Sequence, residues 1–316
     1  MVTDLAFIAA GLVLLFVGGE GLVRGSVAIA ERMRISKLVV GMVIVGFGTS
    51  TPELLVSLQA AMAGSPEIAI GNIIGSNIAN VLLIIGAAAL IWPIANADPS
   101  MRREGLVMLA VSAALVPLLM TGMVSRVAGL AMLALLAGYL FITYRIESRR
   151  RESAFTHEAD EVADIPLKPA MAAAAVVIGL GMLMLGARLL VDGATGIARE
   201  FGVSEAVIGL TIVAVGTSLP ELATSVVAAL RRHADVALAN IVGSNIFNIL
   251  AILGITAAIS PIPVASRFAT LDGPVMLAVA AVLVVLLFAV KQIGRPLAAL
   301  LLVAYAAYIY ASALPA

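Results

Sequence analysis

Two glutamates set the chemistry available to this chain. Glu53 closes the stretch Gly46-Phe-Gly-Thr-Ser-Thr-Pro-Glu53, and Glu221 closes Ala214-Val-Gly-Thr-Ser-Leu-Pro-Glu221, 168 positions later. Both stretches lie in apolar sequence of membrane-span length, where an ionisable residue is costly and marks a functional site. Gly46, Thr49, Ser50 and Glu53 follow an i, i+3, i+4, i+7 spacing that predicts one polar helix face. Ala214, Thr217, Ser218 and Glu221 repeat it. Pro52 has no N–H, so the carbonyl of Gly48 loses its helical partner. A free carbonyl at membrane depth must be satisfied by something else, such as a cavity or an ion. Each face thus offers carbonyls, hydroxyls and one carboxylate, the oxygen ligands that hard cations such as Ca²⁺ and Na⁺ take. Softer metals ask for His or Cys. The chain has no cysteine, and His157 and His233 fall in predicted loops.

A second polar stripe follows each motif. Gly71-Asn-Ile-Ile-Gly-Ser-Asn-Ile-Ala-Asn80 sets Ser76 and Asn80 four apart, and Ala239-Asn-Ile-Val-Gly-Ser-Asn-Ile-Phe-Asn248 does the same for Ser244 and Asn248. These four share faces with no other evident task and join the candidate ion ligands. Asn72, Asn77, Asn240 and Asn245 are expected to satisfy broken backbone or to bond between helices. Two-fold symmetry would bring Glu53 and Glu221 together in mid-membrane. Two bare carboxylates there repel each other. One divalent cation, or several monovalent ones, removes the conflict. No Lys or Arg recurs near either motif to pair with them.

These residues need elements to hold them. The 316 residues are 62% hydrophobic and 12% charged, which excludes an ordinary soluble domain. The apolar runs are continuous, not alternating, and so argue against a β-barrel. A net charge of zero suggests no nucleic-acid partner. The first run, from Leu5 to about Ala30, exceeds a signal-peptide core and reads as a membrane helix. The fold class is all-α, a polytopic membrane protein. Ten helices are predicted near 4–30, 37–63, 67–92, 104–121, 127–146, 169–199, 205–230, 235–259, 270–290 and 296–313. Residues 1–146 form one five-helix repeat and 169–316 the other, joined by a solvated cytoplasmic linker at 147–168. Aligned at an offset of 168, roughly 33 of about 76 positions are identical between Gly11/Gly179 and Gly86/Gly254. An odd number of helices per half makes the second half enter from the opposite side, an inverted-topology repeat. With the N-terminus outside, about fourteen Lys and Arg fall in inside segments, against Arg126, Arg199 and Arg267 outside. Both termini are therefore expected outside. Glu20 and Arg24 on helix one, and Arg188 and Asp192 on helix six, are spaced to neutralise each other within their own helices.

At these motifs the sequence resembles the calcium/cation antiporter superfamily, in its sodium/calcium exchanger branch. Gly48-Thr-Ser-Thr-Pro-Glu53 and Gly216-Thr-Ser-Leu-Pro-Glu221 look like the cores of that family's two α-repeats. Gly75-Ser-Asn-Ile-Ala-Asn80 and Gly243-Ser-Asn-Ile-Phe-Asn248 match as well. The resemblance covers nearly the whole chain, and it is to the prokaryotic type, since no counterpart of the animal regulatory calcium-binding domain occurs in the sequence. It implies four ion sites in a diamond. The calcium ligands would be the side chains of Glu53 and Glu221 with the carbonyls of Thr49 and Thr217. The sodium ligands would add Gly46, Ser50, Ser76, Ala214, Ser218 and Ser244. Asn80 and Asn248 would line the middle position. Gly46 stands where Ala is common, which matters little if its carbonyl is the ligand. Potassium-dependent relatives carry Asp at the position of Asn248, so the resemblance argues against potassium cotransport here.

The expectation is a secondary-active Na⁺/Ca²⁺ antiporter in a lipid bilayer, in a prokaryotic inner membrane, with no cofactor and with a monomer sufficient. Three Na⁺ per Ca²⁺, which the family implies, would leave one charge over and make exchange electrogenic. An H⁺/Ca²⁺ or other divalent exchanger on the same scaffold is the nearest alternative. An intramembrane hydrolase with the glutamates as acid and base would need a water path and a substrate groove. A passive cation channel would show flux that follows no counter-ion gradient.

Overall fold

The structure, a computed structural model, describes residues 1–33, 37–95, 99–154, 168–202 and 214–313. Helices dominate, because in lipid a helix satisfies all its backbone groups within one segment. In the first half, α1 covers Val2–Met33. A broken pair follows, α2 over residues 37–49 and α3 over Thr51–Met62. Then come α4 over Pro66–Ile91, α5 over Pro99–Met120 and α6 over Arg126–Ala154. In the second half, α7 covers Pro169–Glu200, α8 Ala214–Thr217 and α9 Leu219–Leu230. They are followed by α10 over residues 234–259, α11 over Phe268–Ala289 and α12 over Arg295–Ala313. Among the described residues, eight helices are long and apolar enough to cross a membrane, and the bent pair α2–α3 makes a ninth candidate span. The expected span at 205–230 is described only from Ala214 onward; residues 203–213 lie outside the described residues. So does most of the expected linker, at 155–167. The helical backbone of α6 continues past the expected end at 146 to Ala154.

Burial sorts these helices into a centre and a rim. The apolar window of α10 is 100% buried and that of α4 78%, against 17% for α6 and 11% for α12. Helices that are hydrophobic all round belong inside a bundle, and α4 and α10 carry the second polar stripe of each half. Their isoleucines, among them Ile73, Ile74, Ile78, Ile241, Ile246 and Ile249, pack into one core with α5 and α11.

The motif helices break where their sequence demands it. Ser50 takes φ −82°, ψ 6° and Ser218 takes φ −88°, ψ 7°, each closing one helix and opening the next. Pro52 and Pro220 then stand in the first turn of α3 and α9, where a missing N–H costs no hydrogen bond. The bend between α2 and α3 is 46°. The single continuous polar face expected over Gly46–Glu53 is therefore divided. Gly46 ends a π-helical turn at Gly41–Gly46, and Glu53 lies in the first turn of a separate helix. Two further π turns, Asn80–Ile84 and Asn248–Leu253, begin at the two stripe asparagines. Such turns are rare and gather at functional positions.

α1 and α7 run antiparallel and meet through glycine. A Cβ added at Gly18 would lie 2.8 Å from the Gly179 carbonyl, and one at Gly179 would lie 2.7 Å from that of Gly18. Gly11 with Gly186, and Gly25 with Ala172, repeat the contact seven residues apart. Small residues let two backbones approach this closely within a membrane. α7 also lays Leu180 over Gly48 and Val191 over Gly216.

Two short ribbons, absent from the sequence expectations, tie the halves at the loops. β1 (Ile94–Ala95) pairs antiparallel with β4 (Gln292–Ile293), and β2 (Met123–Val124) pairs with β3 (Ile262–Pro263).

The expected Glu20–Arg24 pair forms and gains a partner. Arg24 Nε lies 2.5 Å from Glu20, but Arg231 at the end of α9 also forks onto both Glu20 oxygens. Glu20 therefore bridges α1 to the second half, because the bundle brings another cation within reach. Arg188 and Asp192 remain an exposed pair at 3.8 Å within α7.

Candidate ion-binding site

The two helix breaks place the motif residues of each half against those of the other. Ser50 Oγ donates to Glu221 Oε1 at 3.0 Å, and Ser218 Oγ lies 3.3 Å from Glu53 Oε1. Ser218 Oγ is also 3.4 Å from Ser76 Oγ, so its single proton chooses between two acceptors. Thr49 Oγ1 faces Val45 O at 3.0 Å, and Gly46 O and Asn240 Oδ1 at 3.3 Å. Thr217 Oγ1 lies 3.4 Å from Asn72 Oδ1. Ser244 Oγ donates to Gly46 O at 3.3 Å. A Cβ at Gly46 would lie 3.1 Å from Ser244 N, so the glycine matters sterically as well as through its carbonyl. Ala214 opens α8.

The asparagines divide into two kinds. Asn72 Nδ2 donates to the Glu53 carbonyl at 3.1 Å and to Ser57 Oγ at 2.9 Å. Asn240 Nδ2 does the same for the Glu221 carbonyl at 3.4 Å and Ser225 Oγ at 3.0 Å. These two brace the start of α3 and α9 against α4 and α10. Asn80 Nδ2 donates to Asn245 Oδ1 at 2.9 Å, and Asn248 Nδ2 to Asn77 Oδ1 at 3.3 Å. Each of these contacts has its counterpart 168 positions on. The sequence reading missed Ser57 and Ser225, although they too recur at that offset.

Glu53, Glu221, Asn80 and Asn248 are each 1% exposed. Glu53 Oε2, Glu221 Oε2, Asn80 Oδ1 and Asn248 Oδ1 nevertheless have no hydrogen-bond partner. Buried polar atoms are nearly always paired, and leaving one unpaired costs about 1–3 kcal/mol. With the glutamates ionised, all four are acceptors, at symmetric positions, and they suit a cation. Both glutamates lie in the first turn of a helix, where the positive end of the helix dipole favours negative charge. The donor set is oxygen alone, which fits hard cations. Two other buried acids differ. Glu104 on α5 is held by Arg103 at 2.8 Å and Tyr139 at 2.7 Å. Asp272 is held by Arg267 at 3.0 Å and Tyr308 at 3.2 Å. Those acids are neutralised by the protein itself, and the sequence reading did not single them out.

A polytopic helical membrane protein with paired, buried, oxygen-only motifs fits the class of hard-cation transporters. The profile described as sodium/calcium exchanger protein matches residues 3–145 and 171–314. The chain belongs to the sodium/calcium exchanger family, in its prokaryotic branch. The putative antiporter CaxA of Alkalimonas amylolytica is 38% identical over 314 residues, 98% of either chain. The sodium/calcium exchanger MaX1 of Methanosarcina acetivorans is 32% identical, over 95% of either chain. The solved structure of the sodium-calcium exchanger NCX_Mj soaked with zero Na⁺ and Ca²⁺ superposes with a TM-score of 0.85 at 32% identity. That match covers 98% of this chain and 99% of the other.

Proposed function

We propose that this chain exchanges Na⁺ for Ca²⁺ electrogenically by alternating access. The observation that carries the reading is the set of four unpartnered buried oxygens on Glu53, Glu221, Asn80 and Asn248. Two carboxylates balance one Ca²⁺. Gly46, Thr49, Ser50 and Ser76, with Ala214, Thr217, Ser218 and Ser244, complete the ligand set for Ca²⁺ and Na⁺. The likeness to the sodium/calcium exchanger MaX1 and the sodium-calcium exchanger NCX_Mj supports these two ions.

The scaffold of this proposal is ten membrane helices in two inverted five-helix repeats, residues 1–146 and 169–316, with 147–168 as a cytoplasmic linker. Both termini lie outside a prokaryotic inner membrane, and a monomer suffices. The reciprocal contacts at an offset of 168 support the repeat. For alternating access, α1 and α7 supply the moving cover. Their backbone seam joins them into one body, and Leu180 and Val191 lie over the two motif breaks. Displacing that pair opens the centre to one side at a time.

The test is Ca²⁺ uptake into proteoliposomes with and without an outward Na⁺ gradient. Uptake that rises with the gradient and moves net charge is expected. Uptake driven by a proton gradient and indifferent to Na⁺ would replace Na⁺ with H⁺ in the reading. Flux that follows no counter-ion gradient would make the protein a channel.

A further inference from the structure

Two methionines outside the ligand set touch the asparagines behind it. Asn245 Nδ2 lies 3.4 Å from Met108 Sδ on α5, and Asn77 Nδ2 lies 3.6 Å from Met276 Sδ on α11. Met108 and Met276 are 0% and 2% exposed. They stand 168 positions apart, so each half contributes one.

A thioether carries no proton and can only accept. The end of an amide that faces it with a hydrogen bond must therefore be the NH₂ end. Met108 thus turns the Asn245 carbonyl oxygen away from itself, and that oxygen receives Asn80 Nδ2 at 2.9 Å. The donation turns the NH₂ of Asn80 toward Asn245 and its oxygen away, and Asn80 Oδ1 is one of the unpartnered buried oxygens. Met276, Asn77 and Asn248 repeat the sequence of contacts, ending on Asn248 Oδ1. If Asn245 turned over, its NH₂ would face Asn80. Asn80 would then turn its oxygen to that donor and its NH₂ to the centre. An NH₂ there presents positive hydrogens to a cation and has no lone pair to offer it.

We propose that Met108 and Met276 are positioning residues that set the polarity of these two amide relays, so that Asn80 and Asn248 present oxygen, not nitrogen, to the transported cation. The inference rests on the proposed ion site and adds two residues that act on it through others. Each relay crosses between the halves and returns: Met108 to Asn245 to Asn80, and Met276 to Asn77 to Asn248.

The test is Met108→Leu, which nearly conserves volume and is compatible with the packed core but removes the acceptor. Met276→Leu is its independent counterpart. In proteoliposomes the half-saturating Ca²⁺ concentration is expected to rise by roughly 3- to 10-fold, the scale of one hydrogen bond, with the maximal rate retained. A double-mutant cycle separates orientation from packing. In an Asn80→Ala background, where the oxygen is already gone, Met108→Leu should add nothing, and Met276→Leu should add nothing to Asn248→Ala. An unchanged half-saturation in both folded leucine variants, while Asn80→Ala weakens binding, would overturn the relay and leave the site. An effect of Met108→Leu that persists undiminished in the Asn80→Ala background would also overturn it, assigning the methionine to packing. If Asn80→Ala itself leaves binding unchanged, the central site as drawn fails and the relay fails with it.

Discussion

Ser50 donates its hydroxyl to Glu221 Oε1 at 3.0 Å, across the interface between the two halves. The hydroxyl occupies one carboxylate oxygen and leaves Glu221 Oε2 without a partner. Ser218 stands in the same relation to Glu53 at 3.3 Å. The serine of each half thus aims the glutamate of the other. Ser50→Ala and Ser218→Ala should each raise the half-saturating Ca²⁺ concentration, by roughly 10- to 150-fold at most, because a hydrogen bond to a charged group contributes about 1.5–3 kcal/mol. Transport assays should show a loss in both variants, the larger in Ser50→Ala, because the Ser218 proton is shared with Ser76. A loss confined to one of them would show that the halves hold their carboxylates differently.

In the proposed site, the carboxylates themselves carry the charge balance. Glu53→Gln and Glu221→Gln keep shape and remove one charge from a buried centre. At an effective dielectric near 20, two unit charges 4 Å apart interact by about 4 kcal/mol, so each variant should lower Ca²⁺ transport by roughly 100-fold or more. Both proteins should still extract as folded, monodisperse material. Near-normal exchange in either would remove that glutamate from the transport site.

In the proposed topology, which rests on the lysine and arginine bias, the 147–168 segment is inside and both termini are outside. The chain contains no cysteine, so a single cysteine at Ser153 reports cleanly. It should resist an impermeant thiol reagent in intact cells and react once the membrane is opened. Labelling from outside would reverse the orientation.

In the proposed site, Asn248 sets the charge of the middle position. Its amide presents one oxygen and no charge, so wild-type exchange should run equally in K⁺ and in choline. Asn248→Asp adds a third acid beside Glu53 and Glu221 and should tighten cation binding at the centre. It should also bring K⁺ sensitivity, read as Na⁺-driven Ca²⁺ flux against K⁺ concentration at fixed membrane potential. A wild-type protein that requires K⁺ would mean that a group other than residue 248 supplies the missing attraction.

The sequence by itself determined the helical membrane class, the duplication and the set of candidate oxygen ligands. The reason is contrast: in a chain 62% hydrophobic, Thr49, Ser50, Glu53, Ser76 and Asn80 stand out, and their recurrence at 168 marks them as a set. Proline after serine also foretold trouble in the motif helix. Only the tertiary structure decided where that trouble falls. Ser50 and Ser218 sit at the breaks themselves, so Glu53 and Glu221 start new helices, and the i, i+7 relation to Gly46 and Ala214 no longer defines a common face. Spacing encodes neighbours along one helix. It does not encode the crossing and rotation of helices that set Ser244 on Gly46, Ser50 on Glu221 and Arg231 on Glu20. Met108 and Met276 were illegible for the same reason. A methionine in an apolar helix looks like packing until a folded neighbour turns an amide toward its sulfur, and that encounter depends on how α5 meets α10 and how α11 meets α4.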